Sequence, residues 1–333
     1  MTSTAVEFAT EVSYADAIRR ALEAAMVDDE SITLLGQDIA IGFPFGVTKG
    51  LIERFGPERV RDTPISEAAT MGCAIGAALH GVRTVVEVDF SGFLLLGFDQ
   101  LINNAAKLRY MSAGQMRVPL VVRVGQGPLG AFGAQHSQAL HGWLANVPGL
   151  VVCTPGTVQD AYDLMRWALR MNDPVVFAED MRLYRTKGPL VEGDGDVALG
   201  ARVARPGADA TAVVFGYDVL QALTAAEELA AEGVELEVLD LRTVSPLDVA
   251  GIAASVRRTG RAVCVSHDPL LGGFSASLAA VVQEQAVGEL RAPVARLGAR
   301  HAPAPYNTEL ERRIFPSAGS IAAAVRALMG REP

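Results

Sequence analysis

The stretch 120–178, LVVRVGQGPLGAFGAQHSQALHGWLANVPGLVVCTPGTVQDAYDLMRWALRMNDPVVFA, decides the fold. It contains three short apolar runs, 120–124, 150–153 and 175–178, each continuous rather than alternating. A strand with one wet face alternates apolar and polar residues. A strand covered by helices on both faces does not. Between the runs, 137–145 and 158–171 carry helical periodicity. Strand, helix, strand, helix, strand in that order gives parallel βαβ units wound on both faces of one sheet.

The same alternation extends in both directions. Upstream, Ser13 caps a helix whose Ile18, Leu22, Ala25 and Met26 share a face. A strand at 32–35 ends in Gly36-Gln37-Asp38. A helix then starts at Glu67 under a Ser66 cap and stops at Gly81, and a strand at 84–88 and a helix at 99–110 follow. The face Gly72, Cys73, Gly76, Ala77 is small enough to let another backbone approach closely, which predicts a crowded interior or an interface. Downstream, 189–210 is rich in Gly, Pro and Asp, loses periodicity and reads as a linker. Beyond it, strands at 212–215, 236–241, 262–265 and 294–297 alternate with helices at 219–231, 247–258, 275–287 and from 317. The expected fold class is α/β: a doubly wound parallel sheet in domain 1–188, the linker 189–210, and a smaller α/β domain at 211–333. Ligands of such sheets lie beyond the carboxyl ends of the strands.

Composition narrows the function classes. A net charge of −9 over 333 residues gives no basic footprint for nucleic acid or an anionic membrane. The longest apolar run, 93–98, is far below the roughly 18–20 residues that span a bilayer. The opening MTSTAVEFATEVSYADA lacks the basic and apolar regions of a secretory signal, so a cytoplasmic protein is expected. Cys73, Cys153 and Cys264 are widely spaced in apolar surroundings and read as buried thiols of a reducing compartment.

Three constellations carry candidate chemistry. Glu67 opens a helix and is followed by the nearly wholly apolar AATMGCAIGAAL, and a carboxylate in such company requires a specific partner. Read alone, it is more simply an ordinary acidic residue at a helix amino terminus. His136 follows the glycine-rich loop GQGPLGAFG at the mouth of the sheet, expected at the start of the next helix. Phe93, after the strand end Glu87-Val88-Asp89, is either a stacking platform or plain core. There is no dinucleotide fingerprint, Walker lysine or GxSxG elbow. Gly193-Asp194-Gly195 mimics the start of a thiamine-diphosphate and magnesium motif, but no Asn-Asn pair follows at the right distance, and it reads as a decoy.

Taken in order, LLGQDIA (34–40), VTKGL (47–51), DTPISEA (62–68), FDQLINNAAKLRYMSAGQ (98–115), GAQHSQ (133–138), VPGLVV (147–152), LDLRTVSPLD (239–248) and SHDPLLGGF (266–274) resemble the β subunit of the thiamine-diphosphate-dependent 2-oxo acid dehydrogenase E1 component. The resemblance runs from about residue 11 to residue 328. It implies a pyrimidine-binding domain followed by a transketolase C-terminal-type domain. It implies an α₂β₂ heterotetramer whose α subunit carries most of the contacts to Mg²⁺ and the diphosphate, with thiamine diphosphate shared between subunits. It implies a 2-oxo acid substrate, pyruvate or branched-chain, and acyl transfer to a lipoyl-bearing E2 acyltransferase. Carried onto this chain, Glu67 hydrogen-bonds N1′ of the aminopyrimidine, Phe93 packs on that ring, Gln37 and Ile65 line the cofactor site, and His136 stands beside the thiazolium. Main-chain carbonyls of Leu120, Ala168, Leu169, Met171 and Asp173 correspond to a structural K⁺ site.

Two departures leave the acceptor open. Gln37 stands where many relatives carry a carboxylate, so one group of the site hydrogen-bonds but neither titrates nor carries charge. Ala68-Ala69-Thr70-Met71 replaces a step that commonly contains an aromatic residue. A two-component carboligase, joining the decarboxylated 2-oxo acid to a second carbonyl compound, is the main alternative. A non-catalytic scaffold subunit is the other, and the presence of Glu67, Phe93 and His136 opposes it.

Overall fold

The apolar runs assemble into one seven-stranded sheet in the spatial order Thr243–Ser245, Val151–Cys153, Val175–Asp180, Leu120–Gln126, Thr84–Val88, Thr33–Gly36, Val60–Asp62. Every neighbouring pair is parallel except the first, where Thr243–Ser245 joins Val151–Cys153 antiparallel. The computed structural model describes residues 9–331, so most of the stretch read for a targeting signal lies outside it.

Both faces of this sheet are buried, which is why its strands do not alternate. Val85, Val121, Val175 and Phe177 pack with the helices Tyr14–Asp28 and Val158–Ala168 on one face. Val86, Val122 and Val176 pack with Met71, Ala74, Ile75, Leu101 and Leu144 on the other. The second sheet has the order Ala295–Ala299, Ala262–Pro269, Ala210–Val214, Leu236–Asp240, Arg202–Arg205, with the last strand antiparallel. Helices Asp218–Ala230 and Ala318–Leu328 cover one side of it. Its other side, with Ile252, Leu278 and Val282, continues into the first sheet's core, so one apolar cluster runs through both parts.

Several expectations need correction. The linker 189–210 is partly strand: Lys187–Leu190 pairs antiparallel with Thr10–Ser13, and Arg202–Arg205 closes an edge of the second sheet. Short charged edge strands lack the apolar signature by which buried strands are read. The expected helix at 137–145 is real only over His141–Ala145. Residues before it are held as loop, where the Leu140 N–H donates to Gln126 Oε1 at 2.7 Å. His136 therefore sits in a loop, not at a helix start. The helix expected at 99–110 begins earlier, at Ser91, and passes through a wider turn at Gln100–Ala105. Ser66 occupies the cap position of Glu67–Leu79 but its side chain caps nothing. Cys73 is exposed, and only Cys153 and Cys264 are buried.

At the centre of the sheet lies a buried charge cluster. Arg123, 2% exposed, clamps Glu179 with Nε and Nη2, both at 2.8 Å, and its third nitrogen donates to Glu87. These residues stand on three adjacent strands, and Tyr184 donates its hydroxyl to Glu179 at 2.7 Å. Burial pushes the Glu87 carboxyl up to about 7, against the pull of Arg123.

Removing the guanidinium leaves two buried carboxyls without a cation. Arg123→Met is expected to cost about 3–5 kcal/mol in urea unfolding. The loss should be larger at pH 8 than at pH 5, because the orphaned carboxyls then bind protons only in the folded state, and that advantage vanishes as the pH rises. Unchanged stability at pH 8 would show that the cluster does not hold the sheet.

Candidate active site

Five strands deliver their carboxyl ends to one place. Gln37 follows Thr33–Gly36, Thr63 and Glu67 follow Val60–Asp62, and Asp89 and Phe93 follow Thr84–Val88. The loop to His136 follows Leu120–Gln126, and Arg182 and Arg185 follow Val175–Asp180. Apart from Thr63, which borders an adjoining crevice, they line a cavity of about 1,100 Å³ that gathers Gln37, Ile65, Glu67, Phe93 and His136.

Glu67 sits in the first turn of its helix, partly buried, with no hydrogen-bond partner among the described residues. Its carboxyl borders a crevice of about 30 Å³ shared with Gln37, Glu87, Asp89 and Phe93. The expected apolar enclosure of Glu67 is incomplete within this chain. The helix turns Thr70, Met71, Ala74, Ile75 and Ala78 inward, and leaves Ala68, Ala69, Cys73 and Gly76 exposed. The small-residue face predicted from sequence is thus open rather than packed in this chain's interior.

Phe93 and His136 are joined through Phe90. The His136 ring meets Phe90 edge-on at 4.5 Å and Phe93 at 5.4 Å, and Phe90 and Phe93 are perpendicular at 5.8 Å. This close approach depends on Gly92, where a Cβ would lie 2.8 Å from the Gln135 carbonyl. The neutral amide of Gln37 donates to Asp38 at 3.3 Å. Ile65 is 73% exposed at the cavity rim. Asp89 is pushed up to about 6 by burial, then by the charges of Asp38 and Glu67, against the pull of Arg123.

The sequence reading missed part of the wall. Phe43, Pro44 and Phe45 come from an irregular loop, and Phe45 stacks on Tyr184 at 4.4 Å. Arg182 donates to Asp180 with Nε at 2.8 Å and lies 4.0 Å over the Tyr217 ring. Burial works to raise Asp180, yet Arg182 holds its carboxyl below the usual range. Arg182 also donates to His267 Nε2, which puts the imidazole proton on Nδ1, donated to Asp218 at 2.6 Å. Arg182 and Arg185 stand past a strand's carboxyl end, where the rule for ligand position would have found them. Tyr306 arrives from the other sheet's connections and had no local signal.

The proposed potassium set lies elsewhere, around the amino end of strand Leu120–Gln126 and the end of helix Val158–Ala168. Arg83 Nη1 donates to the Leu169 carbonyl at 3.3 Å and the Met171 carbonyl at 2.8 Å. The Asp173 side chain pairs with Arg109. Arg83 thus takes one acceptor position on two of the five carbonyls, and no chemistry below passes through a K⁺. Among the described residues no group of three or more His, Cys, Asp or Glu side chains is placed to hold a metal ion. No helix described is long and apolar enough to cross a membrane.

Comparison with known proteins bears on the whole chain. Residues 10–187 match the transketolase pyrimidine-binding domain family, and residues 200–321 the transketolase C-terminal domain family. The chain is 42% identical to the pyruvate dehydrogenase E1 component subunit beta-1, mitochondrial, of Arabidopsis thaliana, over 92% of this chain and 86% of that one. It is 41% identical to the beta subunit of acetoin:2,6-dichlorophenolindophenol oxidoreductase of Cupriavidus necator, over 94% and 96%. It is 39% identical to the 2-oxoisovalerate dehydrogenase subunit beta of Bacillus subtilis, over 95% and 98%. A solved split-gene transketolase, an inactive beta4 tetramer, shares the fold with a TM-score of 0.74 at 21% identity, over 97% of this chain and 99% of that one.

The raised Asp89 carboxyl makes a pH-dependent contribution that can be isolated. Below the unfolded value near 3.8 the group is neutral in both states and contributes nothing. As the pH rises to about 6 the unfolded chain loses this proton first, so stability falls, and above that the penalty is complete. Asp89→Asn should therefore melt above the wild type at pH 7.5, and the gap should close towards pH 4. A constant gap across that range would show that Asp89 titrates normally.

Proposed function

Because the chain belongs to the β subunits of the thiamine-diphosphate-dependent 2-oxo acid dehydrogenase E1 components, we propose that it completes, with an α subunit, an enzyme that decarboxylates pyruvate or a branched-chain 2-oxo acid and passes the acyl group to a lipoyl arm of an E2 acyltransferase. One observation carries the reading: Glu67, partly buried and without a hydrogen-bond partner among the described residues, lines the same cavity as Phe93 and His136. A pyrimidine fits this arrangement, with an acid for its ring nitrogen and an aromatic edge for its face. The α subunit completes the enclosure that the open helix face leaves undone, in an α₂β₂ assembly, and brings most of the contacts to the diphosphate and Mg²⁺.

When bound, thiamine diphosphate supplies a carbon nucleophile and the electron sink that loss of carbon dioxide requires. The chain's own residues then have distinct tasks. Glu67 holds a proton at the pyrimidine N1′, a role favoured by a carboxyl kept from water. Phe93 fixes the ring plane, and Gln37 and Ile65 bound it. His136, edge-on to Phe90 and Phe93, places an imidazole nitrogen at the cavity to move a proton at the acyl-bearing carbon. The aromatic and aliphatic wall, with Phe45, Phe90 and Phe132, limits water. The three unpaired cysteines suit a reducing, cytoplasmic setting.

Gln37 motivates one competing reading, transfer to a carbonyl compound: an amide in place of a carboxyl leaves the site one titrating group short, whichever acceptor it serves. The purified α–β pair, given a panel of 2-oxo acids with an artificial electron acceptor, tests the decarboxylation. A lipoylated domain against an aldehyde then tests the acceptor. Glu67→Gln should lower turnover by about 10²–10⁴-fold with the fold intact by circular dichroism. Full activity of that variant would remove Glu67 from the mechanism and favour a scaffold role.

A further inference from the structure

The loop 127–138 is closed at its base, where the Gln138 carbonyl accepts the Gly127 N–H at 2.9 Å and the Ser91 hydroxyl at 2.8 Å. His136 rides on its returning limb. Among the described residues, one hydrogen bond holds the loop's tip: the Ala131 N–H donates to Glu311 Oε2 at 2.7 Å. Glu311 belongs to the short helix Thr308–Arg312, reached only after the last strand of the second sheet. It is 5% exposed, and its other oxygen is buried without a partner.

Two further features show that the tip is held from outside. Ala131 has φ +61°, a left-handed conformation that a residue with a Cβ avoids unless its surroundings impose it. Tyr306, from the same segment as Glu311, lies against Gly133, whose φ is +77° and where a Cβ would come within 2.7 Å of the ring. A buried carboxyl with one oxygen unsatisfied is a poor choice for stability alone, since an apolar side chain there avoids the desolvation. Its use is to grip a backbone N–H.

We propose that Glu311 is a positioning residue of the catalytic site: by accepting the Ala131 N–H, the second domain fixes the tip of the glycine loop and so holds His136 edge-on to Phe90 and Phe93, facing the cavity. The catalytic consequence rests on the E1 function proposed above, whereas the anchor itself does not.

The test uses the α–β pair carrying Glu311→Leu, Glu311→Gln or Tyr306→Ala, and the same β chains alone under brief chymotrypsin treatment. Glu311→Leu should lower kcat about 10²-fold, the scale of a catalytic group displaced by an ångström, with KM for the 2-oxo acid and the melting temperature near wild type. Glu311→Gln, which keeps an oxygen acceptor, should retain most of the activity. Cleavage after Phe132 should be faster in Glu311→Leu than in wild type. If Glu311→Leu does not fold, Tyr306→Ala, at a ring 83% exposed, must give both the lower kcat and the faster cleavage. A folded Glu311→Leu with wild-type kcat and wild-type cleavage overturns the proposal. A wild-type pair that turns over no 2-oxo acid overturns the E1 reading instead. Cleavage after Phe132 then decides the anchor alone: faster in the variant supports it, unchanged rejects it.

Discussion

The guanidinium of Arg123 is the constraint on which the site depends. It bridges Glu87 and Glu179, on the strands to either side of its own. Side chains on a strand alternate between faces, so a slip of one residue in any of the three strands would turn a partner to the far side of the sheet. The ion cluster thus fixes register among the strands whose ends carry Phe93, the His136 loop and Arg182. Its own stability is a matter of charge balance: one cation faces two carboxyls, and the balance is met when Glu87, pushed up to about 7 by burial, keeps its proton.

What the sequence discloses follows from whether a residue's neighbours belong to the same element. Val85-Val86, Val121-Val122 and Val175-Val176 are adjacent apolar pairs, one member for each face, and the both-sided burial they announce is present. Glu67, Phe93 and His136 were legible because strand ends and loops after them mark where ligands collect, and all three line one cavity. Arg202–Arg205 was not legible as a strand, because an edge strand of four residues needs little apolar surface. Nor were Tyr306 and Glu311, whose partners in the loop at 131–133 lie some 175 residues earlier in the chain and leave no local pattern.

The open face of helix Glu67–Leu79 teaches a related point. The face Gly72, Cys73, Gly76, Ala77 reads as bound for an interior or an interface, since a small apolar face has the same pattern whether its own chain or another covers it. Sequence periodicity reports that a face is to be buried, not by what. The reading of Cys73 as a buried thiol failed for this reason. On the proposed reading, the same open face explains why the carboxyl of Glu67 is half-enclosed: the chain builds one wall of a site that another subunit closes.

The acids around Glu67 also explain why an amide is tolerable at position 37. Glu87 and Asp89 line the same crevice, and Asp89 is raised to about 6 by burial and by the charges of Asp38 and Glu67. A further carboxylate at 37 would add to that repulsion in a space of about 30 Å³, in which little water screens it. With Gln37 the position keeps a donor, used on Asp38, and removes one negative charge. The groups beside Glu67 whose carboxyls burial raises are Asp89 and Glu87, not the residue after Gly36. On the proposed reading, an acyl acceptor that needs a proton delivered from the Gly36 side would find an amide there, whereas one served from the His136 side would find the imidazole in place.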